Sequence, residues 1–281
     1  MSDLRLRPMT LADLPLGLSL CREAGWNQTE ADWRRFLALE PTGCFVAEAA
    51  GEPGGTVTTC VFGSVAWIAM VLVAERLRGQ GVGTALLRHA LAYLDARGVA
   101  TVRLDATSLG QPLYERLGFL PEYRVTRWGG VPPVDQATTE VLPYGTEHLP
   151  GMTALDREAT GTDRGKLLAR LTEELPAATW CTLDQGEVTG YVVTRPGANA
   201  AQIGPCVARN EAEGRALLNQ ALAARAGEPV IVDVPADHAA ATALVQAAGL
   251  TPQRDFVRMY RGEPVSDHVE MMWASSGPEM G

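Results

Sequence analysis

The stretch Arg78-Gly79-Gln80-Gly81-Val82-Gly83-Thr84 joins an apolar run to an amphipathic helix. Ahead of it, Val71-Leu72-Val73 reads as a buried strand; behind it, Val82, Leu86, Ala90 and Tyr93 recur at helical spacing. The glycines therefore stand where a strand hands over to a helix start. Backbone N–H groups there lack intrahelical partners, and the helix dipole adds partial positive charge. Without Cβ atoms at Gly79, Gly81 and Gly83 an anion approaches the backbone closely, and Arg78 adds a fixed charge. This pattern suits a pyrophosphate.

Spacing excludes two common phosphate loops. A dinucleotide fingerprint beginning at Gly79 needs glycine at position 84, where Thr84 stands. A P-loop needs Gly-Lys followed by Ser or Thr, and Gly165-Lys166 is followed by Leu167. The remaining pattern, R-G-x-G-x-G-T, resembles the coenzyme A loop of the GNAT acetyltransferase superfamily. Further on, Pro112-Leu113-Tyr114-Glu115-Arg116-Leu117-Gly118-Phe119 reads as a short helix closed by glycine. L-Y-E-R-L-G-F resembles the closing motif of GNAT domains, in which the tyrosine lies beside the coenzyme sulfur.

The resemblance implies a mixed α/β sheet and acetyl-CoA as acyl donor. It places the coenzyme against Val71, Leu72, Val73, the run Arg78 to Thr84, Thr107, Gly110 and Tyr114. Thr107 and Gly110 stand where the family often has Asn and Ala facing the coenzyme arm.

Composition sets bounds. A chain of 281 residues with 46% hydrophobic and 20% charged content suits a soluble protein of two ordinary domains. No apolar run approaches the ~20 residues of a membrane span, and the N-terminus shows no signal-peptide pattern. These features lead us to expect a cytoplasmic protein, monomeric or homodimeric. The five cysteines are scattered and lack metal-ligand spacing, so they read as buried thiols and no metal is expected. Residues 1–135 carry 13 Arg against 14 carboxylates, so the remainder holds nearly all of the net charge of −9. Nucleic acid is disfavoured, because binding it needs a basic face.

The order of elements repeats. A first copy spans 1–130, with strands at 4–7, 45–49, 55–62, 64–73, 100–104 and 122–128. A Pro-containing linker at 131–138 leads to a second copy at 139–262, whose Ala248-Gly249-Leu250 mirrors Leu117-Gly118-Phe119. The hairpin in the first copy is expected to turn through Gly51-Glu52-Pro53-Gly54. Where the first copy has its glycine loop, the second has Arg209-Asn210-Glu211-Ala212-Glu213-Gly214. Two carboxylates at a helix start repel a pyrophosphate, so the second copy is expected to be degenerate. The chain resembles tandem GNAT proteins over nearly its whole length. Its tail, 263–281, is apolar enough to dock on the first copy.

The resemblance implies acetyl transfer to a small-molecule primary amine by direct attack in a ternary complex. A backbone N–H at Val71 or Leu72 would meet the thioester carbonyl, and Tyr114 the leaving sulfur. The acid that many relatives carry on the fourth strand is absent from Ser64–Val73. Asp105 is the leading alternative base; a water chain, an acceptor already partly neutral and the Gly281 carboxylate also serve. Trp26-Asn27-Gln28 stands where the family builds its acceptor wall; Asp163-Arg164 resembles a polar pair of tandem relatives and is a second candidate to face the cleft, an intradomain salt bridge being the alternative. A non-catalytic acyl-CoA sensor and a transferase using a longer acyl donor are the alternative readings.

Overall fold

A computed structural model describes residues 4–133 and 141–281. The expected linker positions 134–138, and the start of the expected strand at 139–140, lie outside the described residues. The first copy runs β1 (Leu4–Pro8), α1 (Leu14–Ala24), α2 (Glu30–Leu39), β2 (Phe45–Ala49), β3 (Glu52–Phe62) and β4 (Val65–Val73). It continues with α3 (Val82–Asp95), β5 (Thr101–Ala106), α4 (Gln111–Arg116) and β6 (Leu120–Gly130). The second repeats this order: β7 (Leu142–Pro143), α5 (Leu149–Thr160), α6 (Gly165–Glu174), β8 (Thr179–Asp184), β9 (Glu187–Arg195) and β10 (Ala201–Ala208). Then come α7 (Glu211–Ala223), β11 (Val230–Pro235), α8 (Ala239–Ala247) and β12 (Thr251–Gly262), with a short β13 (Met272–Ala274) in the tail.

Local chemistry sets these elements. Thr29 and Asp32 form a capping box at the start of α2: the Thr29 N–H donates to Asp32 Oδ2 at 2.8 Å, and Thr29 Oγ1 accepts from the Asp32 N–H. In α3 the stripe Val82, Leu86, Leu87, Ala90 and Leu94 is buried. The β2–β3 hairpin turns earlier than the glycine cluster suggested. Ala50 and Gly51 both have positive φ (53° and 79°), the conformation of a tight two-residue turn whose twist matches its strands, so Glu52–Gly54 join the ladder.

All strands among the described residues belong to one sheet, in the order β1-β2-β3-β4-β5-β12-β6-β11-β10-β9-β8-β7, with β13 attached to β10. The closing strands are exchanged. β12 inserts between β5 and β6, while β6 pairs with β11 across the junction. The two copies are therefore successive along the chain but interleaved in space, and the boundary drawn at 130–139 cuts through the sheet.

The junction carries buried charge. Arg258 donates from Nε and Nη2 to the two Asp105 oxygens, each at 2.9 Å, and lies over the Trp67 and Tyr123 rings. Arg103 pairs with Glu122 and Asp267, and Arg127 with Asp233. One apolar core packs α3 against the first half-sheet, another packs α7 and α8 against the second, and a third draws on both copies. Trp33 and Phe36 of α2 share this third core with Leu167 and Leu171 of α6.

Candidate active site

The β4–β5 pair opens the site. These parallel strands are in register only over Val65–Trp67 and Thr101–Arg103. Beyond that, β4 bulges: Met70 and Val71 together face Val57, Met70 takes φ 51°, and Thr56 Oγ1 donates to the Met70 carbonyl at 2.9 Å. The strands then diverge around a channel of about 630 Å³. Val71, Leu72 and Val73 wall it on one side, and Thr107, Gly110 and Tyr114 on the other; Arg78 and Gly83 reach it from the loop.

In the loop, Gly79 and Gly81 have φ of 74° and 80°, a left-handed geometry that L side chains rarely adopt. Gly81 is the N-cap of α3, and no side chain caps this helix start. Its first-turn N–H groups thus have no side-chain acceptor. Gln80 steadies the turn by donating to the Arg76 carbonyl at 2.9 Å. Arg78, expected to add a fixed charge, donates to the Val73 carbonyl and pairs with Glu23 at 2.7 Å, half exposed. Gln80, Val82 and Thr84 shape the turn without lining the channel.

Tyr114 is set by Gly110, where a Cβ would press on its ring at 2.9 Å. The ring meets Phe119 edge-on at 6.0 Å. Burial pushes its phenol up to about 12, so it stays protonated at neutral pH.

A smaller chamber, about 50 Å³, shares Trp26, Val71, Asp105, Thr107 and Tyr114 with the channel wall. Its own lining adds Gln28, Phe256, Pro278 and Glu279. Glu279 was not anticipated. The segment after β13 brings it there, held by the Trp67 indole N–H donating to the Pro278 carbonyl (2.9 Å) and by Arg195 donating to the Ser276 carbonyl (2.7 Å). The tail thus touches the first copy at Trp67 and the second through β13 on β10; Gly281 does not line the chamber, and its carbonyl accepts from Arg164 and from the Ser276 N–H. The sequence signal for Glu279 was slight: it is the one acid in the otherwise uncharged run 271–281.

Other expectations need correction. Asp105 lines the chamber, but both its oxygens are engaged by Arg258, and its side chain is 1% exposed. Its partner comes from the exchanged strand that chain order assigned elsewhere, and it leaves neither carboxylate oxygen free of a donor. Asn27 faces away: its side chain takes the Asn199 and Ala200 N–H groups and donates to the Ala200 carbonyl. It clamps the copies together, leaving Trp26 and Gln28 at the chamber. Arg164 is buried against Asp156 at 2.5 Å, and Asp163 accepts from the Gly165 N–H; neither lines the site.

The corresponding cleft of the second copy is filled. Strands β10 and β11 pair only over Ala201–Ile203 and Val230–Val232, then part as β4 and β5 do. β13 occupies the gap, pairing with β10, and the Ser275 N–H donates to the Asp233 carbonyl of β11 at 2.8 Å. Trp273 lies on Gly214, where any Cβ would overlap the indole, and against His238 with ring centroids 4.7 Å apart. The α7 start is capped, Asn210 accepting from the Glu213 N–H at 3.0 Å. The five cysteines are buried and unpaired. Among the described residues no group of His, Cys, Asp or Glu suits a metal ion, and no helix is long and apolar enough to cross a membrane.

A splayed parallel strand pair occurs in both copies, but only the first has a glycine turn ahead of the helix and an open gap, the arrangement of a GNAT fold. The chain belongs to the GNAT acetyltransferase family: the family model "Acetyltransferase (GNAT) family" matches residues 15–119 and "Acetyltransferase (GNAT) domain" matches residues 152–274. It is similar to the uncharacterized N-acetyltransferase YitH of Bacillus subtilis, 24% identical over 79% of this chain and 78% of that protein. The fold matches a putative acetyltransferase from Pyrococcus horikoshii, with TM-score 0.85 and 22% identity over 100% and 97% of the two chains. It also matches a tandem GNAT protein from the clavulanic acid biosynthesis pathway, with TM-score 0.67 and 16% identity over 94% and 100%.

Proposed function

We propose that this protein transfers an acetyl group from acetyl-CoA to a small primary amine, by direct attack within a ternary complex. The observation that carries this is the continuity of the open channel with the enclosed chamber, which meet at Tyr114 and Val71. The uncapped α3 start and its left-handed glycines suit the pyrophosphate, and the channel suits the pantetheine arm. The bulge at Met70–Val71 leaves backbone free of ladder partners where the thioester carbonyl would gather charge.

Tyr114 would hydrogen-bond the departing sulfur. Burial raises its phenol to about 12, which suits a hydrogen bond donated to the thiolate. The chamber, of about 50 Å³, supports a short acyl group and a compact acceptor.

Calorimetry with acetyl-CoA tests the reading. Wild type is expected to bind with a Kd in the micromolar range or below. Gly81→Glu puts a carboxylate and a strained L residue at the α3 start and is expected to weaken binding at least 100-fold, about 3 kcal/mol. Equal affinities, or no binding by wild type, would sink the assignment.

A further inference from the structure

We propose that Glu279 takes the proton from the acceptor's ammonium group and that Gln28 Oε1 receives one of its N–H bonds. The inference rests on the acetyl-transfer reading above and supplies what that reading lacks, since β4 carries no acid and Asp105 is engaged by Arg258.

Glu279 and Gln28 face the chamber together and are 5% and 8% exposed. Gln28 Nε2 donates to Glu279 Oε2 at 3.1 Å. Its Oε1 is buried with no partner in the structure. A buried acceptor left unmade costs about 1–3 kcal/mol, which an arriving donor would recover. An alkylammonium fits that vacancy: one N–H for Gln28 Oε1, another for the Glu279 carboxylate, and an apolar body against Trp26 and Phe256.

The groups around Glu279 set its basicity. Arg195 from β9 pairs with its Oε1, and Asp32 from α2 and Arg127 from β6 act at longer range. Across the chamber stand Tyr114, Arg254 and the Asp105–Arg258 pair. Burial outweighs Arg195 and raises the carboxyl above its ordinary value, which improves it as a base.

The step balances. Glu279 accepts one proton from R–NH3⁺; the freed lone pair attacks the acetyl carbon, the C–N bond forms and the C–S bond breaks. The second nitrogen proton ends on the coenzyme sulfur, and the Glu279 proton passes to solvent, giving amide, thiol and one released proton. Such help matters because an alkylammonium with a pKa near the lysine value of 10.4 is neutral in only about 1 molecule in 2,500 at pH 7.

Two probe amines test this with the full chain at saturating acetyl-CoA, following thiol release above background. n-Butylamine is charged at pH 7, whereas hydroxylamine is mostly neutral and needs no base. Glu279→Gln is expected to lower kcat/KM for n-butylamine about 100-fold at pH 7, with the deficit shrinking as pH rises, and to lower it far less for hydroxylamine. If that variant does not fold, Glu279→Asp keeps the charge and is expected to retain the wild-type pH slope at reduced rate. Equal losses for both amines, or no loss, overturn the proposal. So does a wild type that binds acetyl-CoA yet acetylates neither probe. Absence of acetyl-CoA binding by wild type would instead overturn the underlying assignment of the channel.

Discussion

The β4–β5 cleft and the β10–β11 cleft start from the same geometry and end with opposite contents. Each strand pair is in register for three residues and then parts at an irregularity, the bulge at Met70–Val71 in one and the register shift between Ile203 and Cys206 in the other. In the first, the helix start is uncapped, glycines hold left-handed turns, and the gap stands open. In the second, Asn210 satisfies the helix start, carboxylates surround it, and β13 closes the gap with main-chain hydrogen bonds. Both copies thus keep the splay, but one gap stands open beside an uncapped helix start while the other holds the chain's own tail beside a capped one. The filled cleft anchors the segment that carries Glu279 into the open one.

The largest test of that comparison empties the second cleft. Trp273 is 1% exposed and fills the space above Gly214, so Trp273→Ala is expected to cost about 3–5 kcal/mol of stability. Denaturant unfolding measures this. If the variant remains folded, acetyl-CoA affinity is expected to stay within twofold while transfer falls with the loosened Glu279. A matching loss of acetyl-CoA affinity would mean the two clefts are not separable in this way.

A smaller effect sharpens the open side. Tyr114→Phe keeps the ring packed on Phe119 and removes only the hydroxyl. Transfer is expected to fall about tenfold, equivalent to ~1.4 kcal/mol, with thermal stability little changed. An unchanged rate with an accepted amine would leave the sulfur without help from Tyr114.

These contrasts explain what the sequence made legible. The glycine loop, the Thr29 capping box and the L-Y-E-R-L-G-F segment are local: spacing, caps and turn chemistry act within a few residues and survive in any surroundings. Trp26 and Gln28 line the chamber, whereas Asn27 between them turns to Asn199 and Ala200. What failed was non-local. Asp105 pairs with Arg258, 153 residues away on an exchanged strand. No periodicity records which of two equivalent edges a closing strand will join. Glu279 was hidden for the same reason, since its position depends on β13 finding a cleft whose vacancy is itself a tertiary feature.

The mildest prediction concerns His238, which joins the filled cleft to the tail. Its Nδ1 accepts the Ala241 N–H at the start of α8, and its Nε2 lies 3.0 Å from the Glu270 carbonyl, which fits a neutral ring donating from Nε2. Burial lowers its pKa below the ordinary value near 6.5. The unfolded chain therefore takes up a proton at higher pH than the folded one. The stabilisation is fully present above pH ~6.5 and declines as pH falls below it. Protonation would replace the Nδ1 acceptor with a donor facing the Ala241 N–H, beside Trp273. The thermal midpoint is expected to drop on acidification through this range, and His238→Gln to flatten that part of the profile. An identical slope in the variant would assign the acid sensitivity to another group and leave the tail's hold on the second cleft independent of His238.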